Sequence, residues 1–63
     1  LWGHASTECA YVISGELTVE LSSERVALVA GESVTFDSRE PHRYLNESDG
    51  VTTIIIAVTP PSP

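Results

Sequence analysis

Three features of this chain predict an all-β fold, a small antiparallel barrel or sandwich. Apolar and polar residues alternate with period two in several short runs. Clusters rich in Ser, Gly, Asn and Asp punctuate those runs at regular spacing, as turns between strands do. No window keeps a helical period between recognisable start and stop signals.

The elements follow in order. Cys9–Ile13 is a short β-prone run closed by Ser14-Gly15. In Glu16–Leu21, Leu17, Val19 and Leu21 point one way and Glu16, Thr18 and Glu20 the other, which describes a strand with one wet face. Ser22–Glu24 turns the chain into a return strand at Arg25–Val29, and Ala30–Glu32 turns it again, with Gly31 where a positive φ is cheap. Ser33–Phe36 is the next strand; Pro41 interrupts pairing before an extended His42–Leu45 that places His42 and Tyr44 on one face. Asn46–Gly50 is a turn, where Asn46 suits a left-handed conformation. Val51–Val58 is the longest β-branched run and is expected to be the best-buried strand, and the prolines after Thr59 end the ladder.

Sixty-three residues make one small domain, 1–63. A domain of this size buries only about 60% of its unfolded surface and is marginal alone. The single Cys9 excludes an internal disulfide, and the chain opens on Leu1 without any methionine. We therefore expect a piece of a longer protein that lacks one or more N-terminal strands, and an open sheet edge that favours pairing with a second copy.

Nine acidic residues against three basic ones leave a net charge of −6. Such a surface repels phosphate, so no direct contact with DNA, RNA or an anionic membrane is expected. No apolar run approaches the roughly 20 residues of a membrane span, and no secretory leader is visible. One unpaired cysteine fits a reducing compartment.

The candidate chemistry lies in two segments, Trp2–Cys9 and Asp37–Asn46. Extended backbone puts His4, Ser6 and Glu8 on one face, and His42 arrives from a distant strand. Two imidazoles and a carboxylate form a set suited to Fe, Mn, Ni or Zn. The plainer roles stay open: a loop-bonded strand-start His42, a solvated His4, a surface Glu8. Trp2, Tyr11 and Tyr44 are candidates to touch a ligand, and Arg43, like Arg39, could hold an anionic group or simply pair with nearby acids. Cys9, facing away from Glu8, reads as a buried small apolar residue.

These residues resemble the cupin superfamily over nearly the whole chain. Its first motif ends with histidine, three or four residues, glutamate, six residues and glycine, matched here by His4, Glu8 and Gly15. Its second is matched by Gly31, His42 and Asn46 in register, with Asp37 and Arg39 in the usual proline and glycine slots. The resemblance implies a jelly-roll barrel with metal ligands at His4, Glu8 and His42; a further histidine of the family pattern is replaced by Trp2. More narrowly, YVISGELTVEL, AGESVTFDSREPHRYLN and AVTPPS resemble the C-terminal cupin domain of bacterial helix-turn-helix regulators of the Cro/repressor type. That likeness implies a cytoplasmic, homodimeric module that senses a small-molecule effector in the barrel mouth without turnover, while DNA is read by an N-terminal domain. The alternative is a metal-dependent cupin enzyme, an oxygenase or isomerase acting on a small organic acid or sugar.

Overall fold

The computed structural model describes residues 6–59. Among these residues six strands follow one another without a helix: β1 (Thr7–Ser14), β2 (Glu16–Leu21), β3 (Arg25–Val29), β4 (Ser33–Asp37), β5 (His42–Leu45) and β6 (Thr53–Val58). They form two antiparallel sheets, ordered β4-β1-β6 and β3-β2-β5. The chain thus crosses between sheets after β1, β3, β4 and β5, a jelly-roll-like winding that brings distant segments together.

Alternation decides which side chains meet between the sheets. On β1 the even positions Glu8, Ala10 and Val12 point inward, and the register aligns them with Phe36 and Val34 of β4 and with Val58, Ile56 and Ile54 of β6. The other sheet contributes Leu17, Val19 and Leu21, opposite Leu28 and Val26 on one side and Tyr44 and His42 on the other. Ala10, Val12, Leu17, Val19 and Leu28 are buried, and Phe36, Tyr44 and Ile54 pack around them. Apolar burial of this kind is the main force holding the two sheets together.

Two glycines make the tight crossings. Gly15 joins β1 to β2 at φ +86, and a Cβ there would lie 2.6 Å from the Val51 carbonyl oxygen. Gly31 bears out the positive φ expected of it, at +90. Its amide donates to the Val12 carbonyl (2.9 Å) while the Val12 amide donates to that of Glu32 (3.0 Å). The β3–β4 turn is thereby tied to β1, where the β6 register shifts between Val12 and Ser14.

Three local expectations need correction. The Val51–Val58 run is not the best-buried strand; its ordered part, β6, is a sheet edge on which Ile55, Ile56 and Val58 are about half exposed. Among the described residues it pairs with β1 alone, whereas β1 has neighbours on both sides and buries Glu8, Ala10 and Val12. Cys9 does face away from Glu8 but is half-buried on the outer face. Asn46 keeps a negative φ and shapes its turn through its side chain, donating to the Gly50 carbonyl (2.8 Å) and accepting from the Ser48 amide (3.0 Å).

Candidate functional site

Among the described residues Glu8 is the one buried charged residue, 8% exposed. An isolated buried carboxylate is costly, so its partners define the site. None of the three arginines compensates it: Arg25 pairs with Glu20 and Glu47, Arg39 with Asp37, and Arg43 with Glu20. Its partners come instead from β5 in the opposite sheet. The Tyr44 hydroxyl donates to Glu8 Oε2, and His42 Nε2 faces the same oxygen at 3.4 Å.

The His42 ring is held from its other side. Nδ1 lies 2.7 Å from the Glu40 carbonyl oxygen. A carbonyl only accepts, so Nδ1 carries the proton and Nε2 is left to meet the carboxylate. With a neutral ring, two lone pairs face one another there, an arrangement that calls for a proton or a metal ion between them. Pro41 immediately precedes β5, so the residue that stops pairing leaves His42 at the sheet end.

Around this polar pair the rings pack closely. Phe36 lies 4.9 Å from His42 and 6.5 Å from Tyr44, and His42 and Tyr44 meet edge-on at 5.7 Å. Burial, then the hydrogen bond to Glu8 and the charge of that carboxylate, push the Tyr44 phenol well above its ordinary value of 10.0. Tyr44 is therefore a proton donor throughout the physiological range.

Two neighbouring features shape the entrance. The Ser38 amide and hydroxyl both donate to the Ser6 carbonyl (2.9 and 3.0 Å), tying the segment before β1 to the start of the β4–β5 turn. An open groove of about 290 Å³ is lined by Glu20, Leu21, Ser22, Pro41, His42 and Arg43. Glu40 is bonded to one of these residues: its carboxylate accepts from the Ser22 amide (3.1 Å) and hydroxyl and is held below its ordinary range by those two bonds.

The structure brings together Glu8, His42 and Tyr44 among the residues the sequence singled out. It separates Tyr11, which points outward on β1, from that cluster. Arg43 also leaves the inner face; on the outer side of β5 its guanidinium binds Glu20 at 2.6 and 3.0 Å, so it reaches the groove but not Glu8. Outward parity explains both placements. His4 and Trp2 lie outside the described residues. Phe36 and Ser38 were not foreseen, although the register places Phe36 directly opposite Glu8.

Glu8 and His42 offer the oxygen and nitrogen that a borderline divalent cation takes. Their 3.4 Å separation suits two adjacent ligands on one ion, and a ring whose second nitrogen is held by a carbonyl is the usual state of a ligating histidine. These residues fit a metal. Among the described residues there is no cluster of three or more His, Cys, Asp or Glu side chains.

The fold and its paired motifs define a class. A family model described as "Cupin domain" matches residues 2–59, and the chain belongs to that family. It is similar to the HTH-type transcriptional regulator PuuR of Escherichia coli (strain K12) and to the regulator of the same name from Shigella flexneri. Each is 35% identical over 57 residues, covering 90% of this chain and 31% of the relative. The chain thus spans about a third of the length of these relatives. No solved structure matches it significantly. Among the described residues no helix is long and apolar enough to cross a membrane.

Proposed function

We propose that this cupin domain is the effector-sensing and dimerising part of a bacterial transcription regulator, with DNA read by another part of the same protein. The observation that carries the reading is the buried Glu8 with His42 and Tyr44, which links the two sheets at one end of a domain similar to helix-turn-helix regulators. A ligand entering there touches β1 and β5 at once. Its binding energy can therefore favour one spacing of the sheets over another, which is what a sensor requires. The acidic charge supports a role away from phosphate backbones, in the cytoplasm with the attached DNA-binding part.

A divalent ion belongs to the same reading. Glu8 and His42 would hold it, and it would supply a positive centre that orients a polar group of the effector. Glu8 contributes the negative charge, His42 the lone pair on Nε2, and Phe36 and Tyr44 the apolar walls that exclude water. For the homodimer, support comes from the outer face of the β4-β1-β6 sheet, where Tyr11, Ile13 and Ile55 are 41%, 47% and 53% exposed.

The test uses the full-length protein. Thermal shift against a metabolite panel, with and without Mn²⁺, Fe²⁺, Ni²⁺ or Zn²⁺, should identify stabilising compounds. Operator binding should then change with the same compounds, and Glu8→Ala and His42→Ala should each abolish the response. A response that both variants keep would rule this site out.

A further inference from the structure

We infer that Tyr44 is a positioning residue that holds the Glu8 carboxylate ready for a divalent cation shared with His42. The inference rests on the proposed cation-holding role of Glu8 and His42, and adds a residue that the paired motifs leave out. Among the described residues, the Tyr44 hydroxyl is the sole hydrogen-bond donor to the Glu8 side chain. All three arginines are engaged with other acids, so no fixed positive charge can orient this carboxylate. The phenol does so without adding charge that would oppose a cation.

The register shows which side each partner takes. Tyr44 lies opposite Val19, which is fully buried, while His42 lies opposite Leu21 at the sheet end and lines the groove. Tyr44 therefore approaches Oε2 from the core and His42 from the entrance. A carboxylate oxygen has two lone pairs. The phenol occupies one of them, and a second remains for a cation shared with Nε2. Tyr44 thus stands to Glu8 as the Glu40 carbonyl stands to His42: each ligand is fixed by one group behind it. A competitor for the cation would approach from the entrance, and Tyr44 does not.

The experiment titrates Co²⁺ and Zn²⁺ into metal-stripped full-length protein by calorimetry, and follows the visible absorption of bound Co²⁺. Tyr44→Phe keeps the ring and loses the donor; it should bind about 10–100-fold more weakly and alter the Co²⁺ spectrum, with its melting curve showing that it folds. Tyr44→4-aminophenylalanine keeps the ring with a weaker donor and should fall between parent and Tyr44→Phe. Should Tyr44→Phe not fold, the aminophenylalanine variant decides, and an affinity equal to the parent's overturns the inference. Tyr44→Phe binding as tightly as the parent, or more tightly, overturns it while leaving the cation site standing. A parent that binds neither ion removes both the inference and the cation reading, and is distinguished by the silence of the parent itself.

Discussion

The outward faces of the two sheets obey one alternation rule and carry opposite chemistry. On β2, β3 and β5 the outward residues include Glu16, Glu20, Arg25 and Arg43, and Arg25 and Arg43 both close on Glu20 while Arg25 also binds Glu47. On β1 and β6 the outward residues include Thr7, Cys9, Tyr11, Ile13, Ile55 and Ala57, with no charge among them, and the neighbouring edge strand β4 adds Ser33, Thr35 and one acid, Asp37, paired with Arg39. The first face pairs Glu20 with Arg25 and Arg43 and suits permanent contact with water. The second leaves exposed apolar area at Tyr11, Ile13 and Ile55 on a chain of net charge −6, which is where the proposed dimer would bring two acidic copies together with the fewest like charges in contact.

Changing residues on either side of this contrast should sharpen it. The largest effect is expected where β1 turns inward: Val12→Ala should cost about 2 kcal/mol in urea unfolding, because a fully buried side chain loses contact and leaves space. Its outward neighbour Ile13 should tolerate Ala with a much smaller change, and equal losses at both positions would refute the two-sided picture. Next, Ile13→Lys with Ile55→Lys should weaken self-association at least about tenfold, which corresponds to about 1.4 kcal/mol. Sedimentation velocity across the micromolar range would show this, and an unchanged dimer would move the interface elsewhere. Smaller still, Glu20→Gln removes the acid shared by two arginines; exposed pairs contribute roughly 0.2–1 kcal/mol, and the loss should shrink further in high salt.

The smallest effect is one of pH. Bonds from Arg25 and Thr18 lower the Glu47 carboxyl below its ordinary 4.5, and the Arg39 bonds lower Asp37 below its ordinary 3.8. A lowered folded value means that the stabilisation is complete above the ordinary value and is lost as pH falls through the lowered one. Melting temperature should therefore stay flat with respect to these groups above about pH 5 and decline below about 4.5. Tyr44 behaves in the opposite sense: its raised phenol favours the folded state until alkaline pH, so one tyrosine should resist ionisation above pH 10 in an absorbance titration.

Much of the strand pattern was legible in the residues. Glu16–Leu21, Arg25–Val29 and His42–Leu45 have the boundaries that alternation and turn chemistry indicated, and the inward pairing of His42 with Tyr44 followed from the same period. Those properties are local: a side chain's face is set by its neighbours two positions away, and Gly31 declares its turn by needing a positive φ. Which strand lies at the centre was not legible. The β-branched content of Val51–Val58 suggested burial, yet β1 took the middle and β6 the edge, because burial depends on what covers a strand and composition reports only what it would tolerate. Tyr11 and Arg43 carried suitable chemistry, but the same period puts them on the faces opposite Glu8 and His42, and neither reaches Glu8. The Tyr44–Glu8 bond spans 36 positions of sequence, and no local period encodes a contact across two sheets. The alternation of residues determined the strands and their faces; the tertiary structure alone decided which faces meet.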